Sequence, residues 1–186
     1  MGLIRVVGGE LRGRRLAVPA AGVRPTSERT REAIFDILGP AFVPGGRVLD
    51  LYAGTGALGI EALSRGAGFA DFVERDEGIA RALESNLAAL GLADLSRVHR
   101  ADLDRGALPP AARGPWRIVF LDPPYAGGGG AKWLEALARL PWSAEGGVVI
   151  HERGRGASGG TPAGLVLVTE RRYGDTTVAI YSRGGA

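Results

Sequence analysis

Residues 47–61 read R-V-L-D-L-Y-A-G-T-G-A-L-G-I-E, and this stretch is the strongest indication of the architecture of the chain. A short apolar run from Val48 to Tyr52 is flanked by glycines on both sides, as is typical of a fully buried strand in a parallel sheet. Three glycines follow, and the pattern from Ala57 to Arg65 is helical. Glycines let the backbone approach a ligand closely, and the start of a helix offers unpaired N–H groups. The stretch therefore predicts a strand, a glycine-rich turn and a helix that together form a ligand cradle.

Three interpretations of this cradle are open. The letters G-T-G-A-L-G satisfy the dinucleotide fingerprint G-x-G-x-x-G. In the dinucleotide fold the first glycine follows the strand directly and the turn cradles a pyrophosphate, whereas here Asp50 lies four residues before Gly54. A carboxylate at that place repels a pyrophosphate and suits a ligand that carries an amine, and D-x-x-x-G-x-G resembles motif I of S-adenosylmethionine-dependent methyltransferases. The third interpretation is a tight turn with no ligand.

Length and composition narrow the class of protein. A chain of 186 residues that is 45% hydrophobic suits one domain with a sizeable core. No apolar run is long enough to span a bilayer and the N-terminus lacks a signal-peptide layout, so we expect a cytoplasmic protein with no membrane partner. The absence of cysteine excludes disulfides and thiolate-bound metals, and two histidines are too few for a histidine zinc site. Methylation at a pyrimidine C5, which ordinarily needs a thiolate, is excluded as well.

Positive charge is concentrated at the N-terminus. Residues 1–31 carry seven arginines against two glutamates, a net charge of +5, and the whole chain is only +3, which leaves −2 for residues 32–186. A basic arm on a near-neutral body indicates a polyanion partner, although a charge run is also compatible with a plain solvated surface. We divide the chain into a basic arm or hairpin, residues 1–23, and a main domain, residues 24–186. The candidate RNA-binding residues are Arg5, Arg12, Arg14, Arg15, Arg24, Arg29 and Arg31.

Acidic residues are predicted at the ends of three strands. Two strands follow the first one, over Gly68–Glu74 and Ser96–Ala101. Glu74 lies 18 residues after Gly56, close to the spacing at which an acid on the next strand holds ribose hydroxyls. Each acid alone could be an ordinary helix cap, but the carboxyl ends of parallel strands are where doubly wound sheets bind ligands. The acids concerned are Asp50, Glu74 and Asp102.

The remaining elements complete an α/β sandwich around a seven-stranded, mostly parallel sheet with one antiparallel edge strand, preceded by a short basic hairpin. A helix is predicted over Pro25–Leu38, with Thr26 or Ser27 as its N-cap. The glycine-rich stretches 127–130 and 153–164 are predicted to be loops. The other predicted elements are an Asp76-capped helix that ends at Gly91, strand Trp116–Leu121, helix Lys132–Leu140, strand Gly147–Ile150, and a hairpin of Leu165–Tyr173 and Thr176–Tyr181.

The tetrapeptide Asp122-Pro123-Pro124-Tyr125 directly follows a predicted buried strand. Two prolines would suffice to end a strand, but that explains neither the acid nor the aromatic residue. An exocyclic amine of a purine is a poor nucleophile, and Asp122 with the carbonyl of Pro123 can accept hydrogen bonds that orient its lone pair. Tyr125 offers a face on which an extruded base can lie. The tetrapeptide predicts transfer of a methyl group to such an amine.

Together these motifs resemble the RsmD family of bacterial methyltransferases that act on guanine N2 of 16S ribosomal RNA. The matching segments are D-L-Y-A-G-T-G-A-L-G-I-E-A-L-S-R, V-E-R-D and D-P-P-Y, preceded by I-R-V-V-G-G, L-R-G-R-R-L and R-P-T-S-E-R-T-R-E-A-I-F. The resemblance covers nearly the whole chain. It implies a Rossmann-like S-adenosylmethionine-dependent methyltransferase fold, S-adenosylhomocysteine as the product of the cofactor, no metal, and a monomer that acts on ribosomal RNA or the small ribosomal subunit.

The resemblance also assigns residues to the site. Asp50, Gly54 and Gly56 would line the cofactor site, with Ala53, Arg75 and Leu103 beside them. Glu74 would bind the cofactor ribose and Asp102 its adenine amine. The R-P-T segment makes Thr26 a candidate for contact with the methionine end. The four residues Asp122, Pro123, Pro124 and Tyr125 would hold the target guanine amine.

Other functions remain open from the sequence. A nicotinamide-dependent oxidoreductase explains the glycine pattern and Glu74, but it leaves the tetrapeptide and the basic arm without a role. A non-catalytic RNA-binding assembly factor explains the arm but not the acids at three strand ends. An adenine-N6 methyltransferase of DNA or RNA uses a related tetrapeptide, and so does a protein glutamine methylase, which typically has asparagine where this chain has Asp122.

Overall fold

The computed structural model describes residues 2–19, 26–39, 42, 44–112, 114–124, 129–140, 142–154 and 160–184, and within them the chain forms nine strands and four α-helices. Two short 3₁₀ helices, Ala93–Leu95 and Leu103–Arg105, flank the fifth strand. The elements in chain order are β1 (Gly2–Arg5), β2 (Arg15–Val18), α1 (Glu28–Leu38), β3 (Arg47–Leu51), α2 (Ala57–Ser64), β4 (Phe69–Glu74), α3 (Glu77–Ala89), β5 (Ser96–Arg100), β6 (Trp116–Leu121), α4 (Gly129–Arg139), β7 (Ser143–Gly154), β8 (Leu165–Tyr173) and β9 (Thr176–Arg183).

Seven of these strands form one sheet in the order β5-β4-β3-β6-β7-β9-β8. The strands from β5 to β7 are parallel, and β9 is antiparallel to both of its neighbours. The predicted mostly parallel seven-stranded sheet is confirmed, and its antiparallel strand lies next to the outermost strand β8. Chain order runs outward from β3 to β5 in one direction and from β6 to β7 in the other, where β9 then lies between β7 and β8. The carboxyl ends of β3 and β6 therefore flank the switch point, where ligands bind in such sheets.

Two hydrophobic layers cover the two faces of the sheet. Because side chains alternate along a strand, Val48 of β3 packs with α1, α2 and α3, whereas Leu49 packs with α4 on the opposite face. Every residue of α2 is buried, so this helix is held on all sides and fixes the turn that precedes it. No helix among the described residues is long and apolar enough to cross a membrane.

The basic N-terminal segment forms the predicted hairpin, with β1 and β2 paired antiparallel. Val6 and Leu16 are buried in the same hydrophobic cluster as α1 and α2. Polar contacts anchor the hairpin further, because the buried Glu61 accepts a hydrogen bond from the Val7 N–H at 2.9 Å and Asn86 bonds both backbone groups of Ala17. The hairpin is thus packed onto the body, and the predicted boundary between residues 23 and 24 lies outside the described residues.

Some element ends differ from the prediction. Helix α1 begins at Glu28 and not at residue 25, because Ser27 is its N-cap and accepts a hydrogen bond from the Thr30 N–H at 3.1 Å. Helix α4 begins three residues before Lys132. Strand β7 runs well past residue 150, because its pairing with β9 continues as far as Gly154. Of the predicted loops, 127–128 and 155–159 lie outside the described residues.

Candidate active site

The turn after β3 is held by Asp50. Its Oδ2 accepts a hydrogen bond from the Gly59 N–H at 2.9 Å, and the side chain is buried. Burial raises the pKa of Asp50 well above its ordinary value, and the nearby carboxylates of Asp122 and Glu74 act in the same direction. A Cβ at Gly59 would lie 2.3 Å from the ring of Phe72, so helix α2 can approach the sheet this closely only with glycine there. Asp50 thus joins the strand, the turn and the helix.

Glu74 at the end of β4 holds the other side of the turn. Its Oε2 accepts from the Gly54 N–H at 2.9 Å and its Oε1 from the Asp76 N–H at 2.8 Å. Two backbone donors therefore fix the carboxylate in one orientation. Each carboxylate oxygen can accept a further hydrogen bond, so Glu74 keeps the capacity to bind a ligand hydroxyl.

A cavity of about 720 Å³ opens at the carboxyl ends of the central strands. The described residues that line it include six carboxylates and one guanidinium, that of Arg75, which gives the cavity a strongly acidic character. Such a lining favours a cationic ligand and repels a phosphate. The six acids are Asp50, Glu74, Asp76, Asp122, Glu152 and Asp175.

Asp122 directly follows β6 and lines the cavity. Its Oδ2 accepts a hydrogen bond from the hydroxyl of Thr26 at 3.0 Å. The pKa of Asp122 is raised to about 7, chiefly because burial penalises the charged form and also because the carboxylate of Glu152 is close, while the Thr26 hydroxyl opposes the shift. The carboxyl group therefore titrates near neutral pH.

Most of the predicted site residues are brought together around this cavity. Gly56 and Asp102 do not line it. A Cβ at Gly56 would point at Leu83 at 2.3 Å, so this glycine serves the packing of the turn, where its φ is 74°. The Asp102 carboxylate instead caps the 3₁₀ helix that follows, accepting from the Asp104 N–H at 3.0 Å. The predicted residues that do line it are Thr26, Asp50, Ala53, Gly54, Glu74, Arg75, Leu103, Asp122, Pro123 and Pro124.

The predicted RNA-binding arginines separate into one that is buried and several that are exposed. Arg24 lies outside the described residues, and so does Tyr125 of the predicted tetrapeptide. The prediction is wrong for Arg31, whose side chain is buried at 1% exposure. Its guanidinium donates to the backbone carbonyls of Thr26 and Arg5, so it ties the hairpin to the segment that bonds Asp122. The arginines exposed at the surface are Arg5, Arg12, Arg14, Arg15 and Arg29.

Tyr52 and Glu152 are among the lining residues that the sequence interpretation did not assign to the site. Tyr52 has a φ of 60°, unusual for a residue other than glycine, and its hydroxyl donates to Oδ1 of Asp104 at 3.2 Å. Burial raises the pKa of Tyr52 to about 12, so the phenol stays protonated. Glu152 lies on β7 beside the end of β6, and the rule that singled out acids at strand ends would have found it.

Solved structures show the class of protein to which this fold and site belong. The Escherichia coli protein yhhF, to which a methyltransferase activity is attributed, matches with a TM-score of 0.84 and 36% identity over 98% of each chain. An RNA methyltransferase from Salinibacter ruber in complex with S-adenosyl-L-homocysteine shares the fold, with a TM-score of 0.64 and 18% identity over 86% of this chain and 94% of that one. The protein is a Rossmann-like methyltransferase.

Sequence comparison gives the family. A family model described as conserved hypothetical protein 95 matches residues 4–182. The Bacillus subtilis protein YlbH, to which an rRNA methyltransferase activity is attributed, is 40% identical over 98% of this chain and 100% of its own length. The ribosomal RNA small subunit methyltransferase D of Escherichia coli is 35% identical over 98% of this chain and 91% of its own length. The chain therefore belongs to the RsmD family, whose motifs were noted in its sequence.

Proposed function

We propose that the protein transfers a methyl group from S-adenosylmethionine to the exocyclic N2 amine of a guanine in 16S ribosomal RNA. The observation that carries the proposal is the placement of Asp122-Pro123-Pro124 on the same acidic cavity as Glu74 and the glycine-rich turn. One side of this cavity suits a cofactor and the other a base with an amine. The proposal includes a cytoplasmic location, a monomer and no metal.

The lining of the cavity fits this cofactor. A sulfonium and an ammonium group are both cations, and six carboxylates against one guanidinium favour them. Glu74 is oriented by two backbone N–H groups to accept from ribose hydroxyls. Ala101 and Leu103 offer apolar contacts for an adenine, whereas Asp102 caps the 3₁₀ helix and is not among the described residues that line the cavity. When bound, the cofactor supplies an electrophilic methyl group together with a leaving group that departs as a neutral thioether.

The residues of the chain then act on the base. We assign the Asp122 carboxylate and the carbonyl of Pro123 as acceptors for the amine N–H groups, which direct the nitrogen lone pair toward the methyl group. The Thr26 bond engages Oδ2 of Asp122, so Oδ1 is the oxygen assigned to the amine. Proline fixes φ, so the carbonyl of Pro123 is held rigidly. Most of the catalytic effect then comes from positioning and from stabilising positive charge on the nitrogen.

The exposed arginines of the hairpin supply the contact with RNA. Arg12, Arg14 and Arg15 are exposed on one short segment that is packed onto the body. Guanidinium groups pair well with phosphates and release counterions when they do so. The substrate is accordingly ribosomal RNA, free or within the small ribosomal subunit.

A nicotinamide-dependent oxidoreductase fits the cavity less well, because its cofactor would place a pyrophosphate among these carboxylates. Methylation of adenine N6 in DNA or RNA uses the same amine chemistry, so the product must be identified. The experiment supplies labelled S-adenosylmethionine with undermodified 30S subunits, free 16S RNA or duplex DNA, and then identifies the labelled nucleoside.

We expect N2-methylguanosine with one of the RNA substrates. Asp122→Ala should give no label, and the matched control Asp94→Ala, an exposed residue of a 3₁₀ helix, should behave like the wild type. Label in N6-methyladenosine would favour the alternative function. If the folded wild type labels no nucleoside in any of the three substrates, the proposed function is wrong.

A further inference from the structure

We propose that Glu152 is a second acidic residue of the active site and that, together with Asp122, it takes up the proton that the target amine releases on methylation. The inference rests on the proposed function. It deepens that function by assigning the proton step, for which the tetrapeptide alone offers only one carboxylate.

The sheet places the two acids side by side. In the parallel pairing of β6 with β7, Leu121 lies opposite His151, so the next residues along the chain are Asp122, just past the end of β6, and Glu152, still within β7. Neighbouring strands are about 4.8 Å apart. Both acids line the cavity, and the Glu152 side chain is only 5% exposed. Two carboxylates held this close repel each other when both are charged, so the pair tends to share one proton.

Among the residues that the structure describes, other charged groups near the pair come from neighbouring strands and from the turn between β8 and β9. Asp50 contributes negative charge from β3, and Asp175 lines the cavity from the turn between β8 and β9. Arg75 lies on the far side of β3, after β4. The neighbouring Arg153 donates to Glu170 on β8. Within the described part of the cavity lining, the groups near Asp122 and Glu152 are thus mainly acidic, which strengthens the tendency of the pair to hold a proton.

His151 does not take this role. A Cβ at Gly130 would lie 2.4 Å from its Nε2, so the ring is covered by the first turn of α4. Burial and the charge of Arg153 lower the pKa of His151 to about 4, and the imidazole is neutral at physiological pH. It is also absent from the described residues that line the cavity.

The chemistry of the amine requires a proton acceptor. The nitrogen uses its lone pair to form the new bond to carbon, and the bond between that carbon and the leaving group breaks with its electrons. The nitrogen is then positively charged and carries two protons, of which the neutral N-methylated amine of the product keeps one. The acid pair accepts the other proton through Asp122, and Glu152 shares it before its transfer to solvent.

The test is Glu152→Gln, which keeps the shape of the side chain and removes its charge. The charge of Glu152 raises the pKa of Asp122, so its removal should lower that pKa. In single-turnover methylation of RNA, the rise of rate with pH should shift to lower pH, and the plateau rate should fall at least tenfold because general-base transfer is impaired. Glu135→Gln, an exposed residue of α4, is the matched control.

A readout that needs no turnover is the titration of the Asp122 carboxyl carbon, followed by NMR in the free protein. It should shift to lower pH in Glu152→Gln and stay unchanged in Glu135→Gln. An unchanged titration and rate profile would overturn the inference, as would a fall in rate that came with weakened cofactor binding and no shift of the profile. An inactive wild type would instead refute the proposed function, while the carboxyl titration would still test the pairing.

Discussion

The hydroxyl of Thr26 donates a hydrogen bond to Oδ2 of Asp122 over 3.0 Å, although 96 positions separate the two residues in the chain. The bond joins the segment before α1 to the end of β6. It fixes one oxygen of the carboxylate that we assign to the substrate amine, and it opposes the rise in the pKa of that group.

Replacement of Thr26 by valine removes this hydroxyl at nearly constant volume. A hydrogen bond to a charged group contributes roughly 1.5–3 kcal/mol, so the single-turnover rate near pH 7 should fall about tenfold to a hundredfold. The pKa of Asp122 should rise, which moves the acid limb of the rate profile to higher pH. Thr169→Val on β8 is the control. If the pH–rate profile of Thr26→Val stays where the wild-type profile lies, the hydrogen bond does not contribute to catalysis.

Replacement of Glu74 by alanine should weaken binding of S-adenosylmethionine. A carboxylate–hydroxyl hydrogen bond contributes roughly 1.5–3 kcal/mol, and the loss of the anchor for the Gly54 N–H adds to the effect. Calorimetric titration measures the affinity directly. Glu77→Ala, at an exposed glutamate of α3, should bind like the wild type, and equal affinities for both variants would remove Glu74 from the cofactor site.

Asp122→Asn should make the protein more stable at neutral and alkaline pH. Because the pKa of Asp122 is about 7 when folded and about 3.8 when exposed, the folded state holds a proton that the unfolded chain releases between those values. The contribution of Asp122 to the free energy of unfolding therefore falls as the pH rises through this window. Asparagine cannot ionise, so the variant should gain on the order of 2 kcal/mol above pH 7 and close to nothing at pH 4.

Denaturant unfolding of both proteins at pH 4, 6 and 8 measures this difference. Asp36→Asn, at an exposed position of α1, serves as the control and should show no gain that grows with pH. A constant difference between wild type and Asp122→Asn across the three pH values would contradict the raised pKa.

Replacement of Arg12, Arg14 and Arg15 by alanine should weaken RNA binding and flatten its salt dependence. Each phosphate contact contributes about 0.7–0.9 to the slope of log K against log salt, so the slope should decrease by about 2 if all three arginines bind phosphate. Fluorescence anisotropy over a range of salt concentrations measures the slope, and cofactor affinity should not change. A variant in which the exposed residues Arg97, Arg139 and Arg171 are replaced by alanine controls for net charge. A slope no flatter than that control's would mean that the arm is only a solvated surface.

The sequence predicts much of this site because acidic residues stand at or near the ends of apolar strands. Asp50 lies near the end of a short apolar run, Glu74 closes one and Asp122 directly follows one, and parallel strands bring their carboxyl ends to one edge. Tyr52 could not be found in this way, because its positive φ depends on how the whole turn is held. Arg31 was misassigned for a related reason, since a basic residue in a basic segment shows no sign of burial until α1 is packed against the hairpin.

Because the hairpin is anchored to the body, its basic surface is held at a fixed position relative to Asp122. Arg31 bonds the carbonyls of Arg5 and Thr26, and Thr26 bonds Asp122, so hydrogen bonds connect the hairpin to the carboxylate that we assign to the substrate amine. A hairpin held in this way does not move relative to the body when a substrate binds. If the substrate is the proposed guanine in RNA, the nucleic acid has to deform to bring that base from the basic surface to Asp122, so the energetic penalty of deformation falls on the RNA.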